Sequence, residues 1–504
     1  MDDVPMLRCG DFERSYDDVH ERATRIAGGL HDLGVTAGDN VAIVLPNSVE
    51  FLELTTGIAQ IGANPVPVNW HWKSDELGYL LDNSESKAAF VGSDFLAGVE
   101  QTGTTIPLVV VPAPGTSAPP SPRDYESWLF AQDPNDTQGS DSTPSAGLGM
   151  IYTSGTTGRP KGIVREPVSA ERILLVAMAT MQRMGLEPGG RTLIPAPLYH
   201  TAPNTMAVLA MKLGMDITVM PRFDPEEFLA AVERHRVQQV QMVPTMFTRL
   251  LRLPGEVRRR YDISSLRTIV HSAAPCPPHI KRAIIDWFGP IVSEYYGGSE
   301  TGPAVWCSTE EWLSHPGTVG RPTDGSQVRI IDPETREQLP TGQTGVIYIK
   351  PADYWPGFTY HRDENKRRDM ELDGFVTVGD MGRLDEDGFL YLTDRANDMV
   401  ISGGVNIYPA EIEAACYEMP AVGDCAVFGI PDEEYGESLA AHIEIGEGYD
   451  LTVAEVRDFL RSRLAGFKVP KLIVFDDNLP REDSGKLFKR RLRDRYWGDL
   501  EANI

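Results

Sequence analysis

Residues 153–162 read Thr-Ser-Gly-Thr-Thr-Gly-Arg-Pro-Lys-Gly. Glycine lets backbone N–H groups come close to an anion, hydroxyls add further donors and lysine adds a point charge, so this composition suits a polyphosphate. The spacing is not that of a Walker A loop, whose lysine is followed by Ser or Thr and opens a helix. Here Lys161 stands between Pro160 and Gly162, and Ile163 and Val164 favour a strand. A Gly/Ser/Thr-rich hairpin turn is the plain alternative.

Further along, Tyr295-Tyr296-Gly297-Gly298-Ser299-Glu300-Thr301-Gly302 holds an aromatic ring, a hydroxyl and a carboxylate within a few positions. Such a group can stack on a base, touch a phosphate and ligate Mg²⁺, or it can be a turn with an exposed glutamate. Val378-Gly379-Asp380 and the run Thr393 to Asp398, with Arg395 inside it, offer a carboxylate and a guanidinium able to grip a ribose diol. A surface ion pair fits those residues as well. The run Leu479 to Lys486 ends on a single lysine, which also fits a solvated charge.

The elements that must position these residues follow from patterning. Ser15 with Asp18 forms a capping-box pattern, and Val19, Ala23, Ile26, Ala27, Leu30 and Leu33 recur at helical spacing. Short apolar runs at 41–45, 66–68, 216–220, 240–243 and 266–270 alternate with helical stretches such as Pro225 to His235, the sign of a buried parallel sheet. Residues 112–122 and 133–147 are Pro/Ser/Gly/Asp-rich loops. Beyond about residue 317 the texture changes to short alternating strands with Gly/Asp turns, as in an antiparallel sheet or small barrel. The last hundred or so residues carry helices at 409–418 and 452–464 around two strand-like runs, enough for a compact α+β unit.

Composition narrows the partners. The 504 residues carry a net charge of −26, which disfavours nucleic acid and anionic membrane surfaces. Any polyanion must meet a local positive site. Five cysteines, Cys9, Cys276, Cys307, Cys416 and Cys425, show no metal-ligand spacing, which fits a reducing cytosol. The acidic start without an apolar segment, and the absence of an apolar run long enough to span a bilayer, lead to the expectation of a cytoplasmic protein with no stable membrane insertion.

The five runs, in this order and spacing, resemble the adenylate-forming superfamily of acyl-CoA synthetases, luciferases and peptide-synthetase adenylation domains. Supporting stretches are Pro197 to Asn204 (PLYHTAPN), Met242 to Thr245, His271 to Pro275 (HSAAP), Gly317 to Pro322 and Asn406 to Glu413. The resemblance covers essentially the whole chain. It implies an α/β fold: a large N-terminal domain, 1–396, of doubly wound mixed sheets plus a small barrel-like β subdomain from about 317. A small mobile α+β domain, 397–504, would follow, with Asn397 as hinge and Lys486 aboard.

The resemblance also implies roles. Thr153, Ser154, Gly155, Thr156, Thr157, Gly158 and Lys161 would hold the triphosphate of ATP, and Ala273, Ala274 and Pro275 with Tyr296 would enclose adenine. Asp380 and Arg395 would bind the ribose, and Glu300, preceded by Ser299 where the family usually has Thr, would carry Mg²⁺. Lys486 would reach the acid carboxylate and the α-phosphate. His200 would border that carboxylate, with Thr245, Gly297 and Gly298 lining the acid pocket. His200 also fits a buried structural histidine. Gly403 and Gly404 with Phe467 and Lys471 would form the channel for CoA. Asn397 replaces the more usual aspartate or lysine.

Thr201, Ala202 and Pro203 stand where amino-acid-activating relatives present an aspartate, so an apolar fatty, aromatic or cyclic acid is expected. The expected reaction is ATP-dependent ligation of that acid to CoA. An amide synthetase passing the adenylate to an amine is the alternative, and a catalytically silent nucleotide-binding relative a further one. A homodimer is compatible with either.

Overall fold

A computed structural model describes residues 5–113, 123–133, 149–153, 160–395, 398–402, 405–432, 434–481 and 487–497, with backbone alone at Asp394, Arg395 and Asn406. The chain divides into two compact units. One is Met1–Met242 with Arg252–Val270 and Asp353–Asp369; the other is Val243–Leu251 with His271–Ala352 and Met370–Ile504.

In the first unit, four parallel strands lie in the order Asn64–Pro67, Asn40–Val44, Ser86–Gly92, Leu108–Val111. Their apolar residues are buried on both faces, as the continuous hydrophobic runs require. A second sheet runs Gln239–Met242, Arg191–Ile194, Asp216–Val219, Met6–Cys9, Phe12–Ser15, with only the last strand antiparallel. The helix Tyr16–Asp32 starts where the sequence places it: the Ser15 side chain accepts from the Asp18 N–H, and Asp18 returns the bond to the Ser15 backbone. The helices Val49–Gln60 and Pro225–His235 are likewise capped by Ser48 and Asp224. A third, antiparallel sheet joins Ile151–Thr153, Lys161–Arg165 and Phe358–Tyr360.

The second unit holds the strands Val292–Tyr296, Val305–Cys307 and Arg321–Pro322 in antiparallel order. It also holds a six-stranded sheet that includes Gln327–Ile331, Gly345–Lys350, Asp380–Leu384 and Leu390–Arg395. The C-terminal sheet pairs Val422–Asp432 with Gly436–Ile445 in a long hairpin, and Leu472–Phe475 joins it in parallel. Helices Pro409–Tyr417 and Val453–Arg461 pack their apolar stripes on its core around Ile412, Val427, Ile443 and Leu460.

Glu53, on Val49–Gln60, is fully buried and pairs with Arg22 (2.8 Å) and Arg14 (3.4 Å), while Tyr125 donates to it at 3.0 Å. Burial pushes its carboxyl upward and Arg22 opposes that shift. Removing the Arg22 guanidinium leaves that buried charge with only the longer Arg14 contact and the Tyr125 hydroxyl. Arg22→Met is therefore expected to destabilise the first unit by about 3–5 kcal/mol, measured by urea unfolding, with part of the loss recovered as pH falls and Glu53 takes up a proton.

Candidate functional site

The phosphate-type loop is a hairpin connection. Thr153 and Lys161 are direct partners in the antiparallel strands that flank it, so Lys161 opens a strand rather than a helix. The side chain of Lys161 lies over the Tyr360 ring (5.4 Å) with Asp363 at 3.8 Å. Ser154, Gly155, Thr156, Thr157 and Gly158 lie outside the described residues.

In the same unit, His200 caps the helix Thr201–Lys212 through its backbone and is half-buried. Two buried amides that sequence reasoning did not single out fix the turn before it. Asn47 donates to the carbonyls of Ala196 (3.0 Å) and Met220 (2.9 Å) and accepts from the Leu198 N–H (2.7 Å). Asn204 donates to the Leu198 carbonyl at 3.0 Å. An asparagine that satisfies three backbone groups at once leaves that turn one conformation. The signal in the sequence is the polar residue two positions after the buried run 41–45, in Leu45-Pro46-Asn47.

In the second unit two of the expected groups meet, and a third lies opposite them in the strand register. The Tyr296 hydroxyl donates to Asp380 at 2.8 Å, and Asp380 faces Arg395 across two antiparallel strands. Beside them, Ser272 and Tyr295 share a side-chain hydrogen bond, which brings the turn Ser272–Pro275 next to the strand Val292–Tyr296. Ala273 is exposed and sits at φ 75°, a left-handed conformation that costs a residue with a Cβ about 1–2 kcal/mol. Ala274 is half-buried and Pro275 exposed. After Tyr296 the chain passes so close to itself that a Cβ on Gly297 would overlap the carbonyl oxygen of Gly302. The Gly298 N–H donates to the buried Thr301 hydroxyl (3.1 Å), and the half-buried Glu300 carboxylate folds back over Gly298. Ser299 is half-buried next to it, and Thr245 stands half-buried in the first turn of Pro244–Leu251.

The C-terminal groups are less gathered. Phe467 is 55% exposed, so it is not a core residue. Lys471 pairs with Asp432 (2.6 Å), holding that carboxyl down to about 2, and lies over the Tyr435 ring. Lys468 pairs with Glu411 at 2.6 Å. Arg481 and Leu487 form an isolated antiparallel bridge around 482–486, and Arg481 is gripped by Asp424 through two contacts. Lys486, Asn397, Gly403 and Gly404 themselves lie outside the described residues. Among the described residues no three His, Cys, Asp or Glu side chains gather as a metal cage, and no helix is long and apolar enough to cross a membrane.

Residues 2–358 match the family of AMP-binding enzymes, and residues 411–486 match the C-terminal domain of the same enzymes. A feruloyl-CoA synthase from Amycolatopsis sp is 33% identical, the alignment spanning 97% of this chain and 95% of the relative. The fatty acid–[acyl-carrier-protein] ligase ScoC of Streptomyces coeruleorubidus is 30% identical over 99% of this chain and 95% of its own length. The ATP-bound crystal structure of MatB from Rhodopseudomonas palustris superposes with a TM-score of 0.84 at 28% identity, covering 99% of this chain and 97% of that one. With both matches in place and relatives at 30% identity or more along almost the whole length, this chain belongs to the AMP-binding enzymes, the adenylate-forming superfamily.

Proposed function

We propose that this protein is an ATP-dependent carboxylic acid–CoA ligase acting on an apolar fatty, aromatic or cyclic acid. The observation that carries the reading is the hydrogen bond between Tyr296 and Asp380 beside the exposed turn at Ala273, with Arg395 opposite Asp380 in the strand register. A phenol ring and a carboxylate beside a turn of small residues suit a nucleoside, ring and turn for the base and carboxylate for the diol, and Arg395 would add its guanidinium to the diol. The names of the relatives, a feruloyl-CoA synthase and a fatty-acid ligase, support an apolar acid.

In the first half-reaction an acid carboxylate oxygen bonds to the α-phosphorus of ATP, the bond to the β-phosphate oxygen breaks, and pyrophosphate leaves. This exchange needs alignment and charge neutralisation more than proton transfer. Thr153 to Gly158 and Lys161 would hold the β- and γ-phosphates. Lys486 would bring its ammonium to the carboxylate and α-phosphate oxygens. His200, fixed by the Asn47 and Asn204 amides, would border the carboxylate, with Thr245, Gly297 and Gly298 along the acyl chain. Glu300, with no metal cage around it among the described residues, would hold a magnesium ion. Such an ion would spread the charge of the leaving pyrophosphate.

In the second half-reaction the thiolate of CoA attacks the acyl carbon, the mixed anhydride opens and AMP leaves. The residues 397–504 would turn about Asn397, withdrawing Lys486 and presenting Gly403, Gly404, Phe467 and Lys471 to the acceptor. An exposed aromatic ring with lysines nearby supports CoA, whose adenine can stack and whose phosphates can exchange with surface carboxylates. The second reading is an amide synthetase of the same fold, in which a free amine attacks the same adenylate.

Three outcomes test this. With ATP, a panel of acids and CoA or simple amines, the products are expected to be AMP, pyrophosphate and an acyl thioester. Amides from acids that give no thioester would replace the CoA reading by the amide one, and release of ADP would end both. Lys486→Ala is expected to abolish acid-dependent ATP–pyrophosphate exchange while still converting a supplied acyl-adenylate to thioester; equal loss of both steps would make Lys486 merely structural. Tyr296→Phe removes one hydrogen bond to Asp380, worth about 0.5–1.5 kcal/mol, and should raise the KM for ATP about two- to twelvefold with the KM for the acid unchanged.

A further inference from the structure

Lys281 is the one fully buried lysine among the described residues, and nothing in the reaction above uses it. It lies in the first turns of Pro278–Phe288, and its ammonium sits 2.5 Å from a carboxylate oxygen of Glu294, which is buried on the strand Val292–Tyr296. The same Glu294 oxygen lies 3.5 Å from Nε2 of His271, the last residue of the strand Thr268–His271. His271 is fully buried, and neither of its ring nitrogens makes a hydrogen bond. The Phe247 ring meets it edge-on, and the Trp312 ring lies 5.3 Å from the Lys281 ammonium.

We propose that the Lys281–Glu294 pair, with the His271 ring against it, is the positioning element of the adenine pocket. It would hold the turn Ser272–Pro275 in register with the strand that ends in Tyr296. The inference rests on the nucleotide reading above.

The chain order carries the argument. The turn leaves the sheet at His271 and enters the helix three residues before Lys281, so its two flanks both meet the Glu294 carboxylate. Glu294 is two residues before Tyr296, on the same strand face. One buried carboxylate therefore fixes the distance between the two sides of the pocket. At the exposed middle of the turn, Ala273 is held left-handed, a conformation that persists only where its surroundings over-determine it. Buried ion pairs add little net stability, because desolvation offsets attraction, and an apolar pair would fill the space as well. A fixed spacing is what an ion pair supplies and two apolar side chains do not.

The groups facing the pair are His271 from the strand, Cys276 just after the turn and Cys307 from the neighbouring strand, beside which lie the paired Glu311 and Arg321; Tyr295 points to the other face of the Glu294 strand, and Arg282 lies over Trp312. Burial holds His271 well below its ordinary range and pushes both thiols up, Cys307 to about 12, so these stay neutral at working pH. Burial also pushes Glu294 up, and Lys281 opposes that shift. With its partner removed, each member of the pair is left as a lone buried charge.

The test is the double variant Lys281→Met/Glu294→Leu, which should fold because no charge is left unpaired. Its KM for ATP in pyrophosphate exchange, and its Kd for AMP by calorimetry, should rise roughly ten- to a hundredfold while the KM for the acid stays at the parent value. A folded double variant with parental AMP binding overturns the proposal. Should it not fold, the single variant Lys281→Met decides. There Glu294 has its folded-state pKa raised, so AMP binding and stability improve as pH falls. A flat or opposite profile for Lys281→Met overturns the proposal. A parent with no acid-dependent exchange that still binds AMP sinks the ligase reading alone, and a parent that binds no adenine nucleotide sinks both.

Discussion

The hydrogen bond from Tyr296 to Asp380 is the contact on which the arrangement of the second unit depends, because it joins two sheets that share no strand. Tyr296 ends a strand paired with Val305–Cys307, and Asp380 begins one paired with Gly345–Lys350 and Leu390–Arg395. Beyond the backbone bridge between Gly320 and Leu390, side chains set one sheet against the other. Packing of Tyr296 with Ala304, Val319 and Leu390 supplies the area, and the hydroxyl supplies the direction. A backbone without freedom then follows: Gly297 must be glycine, and Glu300 is delivered back over Gly298.

That architecture also bears on a chain of charge −26 taking a polyanion. The overall field opposes such a ligand, so recognition has to come from donors at short range, where distance outweighs net charge. Two cationic groups are already held by carboxylates. Lys161 is held at a strand start by Asp363 and Tyr360, and Arg481 is gripped by Asp424 at the edge of the stretch that contains Lys486. Each is oriented by a carboxylate rather than left free in solvent.

Much of the frame was legible because it is local. The capping box at Ser15 and Asp18, the helix Pro225–His235 and the start of the helix Val453–Arg461 all fall where the spacing puts them. The strands Met6–Cys9 and Leu472–Phe475 were not legible. Each is only four residues long and takes its partner from afar, Asp216–Val219 in the first case and Gly436–Ile445 in the second. The site divides in the same way. Motif residues could be named from composition and order, but Asn47 is a single polar residue in an apolar context. Lys281 reads as an ordinary solvated helix charge until the fold closes over it. Pairing with Glu294, thirteen residues on, is a tertiary fact that no local window contains.

The C-terminal lysines show how a structure can refine a charge argument without removing it. As sequence, Lys468 and Lys471 suggest a local reversal of the negative field; in the fold each is matched by a carboxylate, Glu411 and Asp432, so the net field there is close to balanced. Surface pairs of this kind are worth under about 1 kcal/mol, so a phosphate of greater charge can displace the carboxylate at little cost. The exposed Phe467 ring is the stronger pointer, since a large aromatic left in water gains most when a flat partner covers it. Under the CoA reading the ring contributes affinity and the lysines contribute orientation. Selectivity for CoA over a simple amine would then rest on the stacked base rather than on charge.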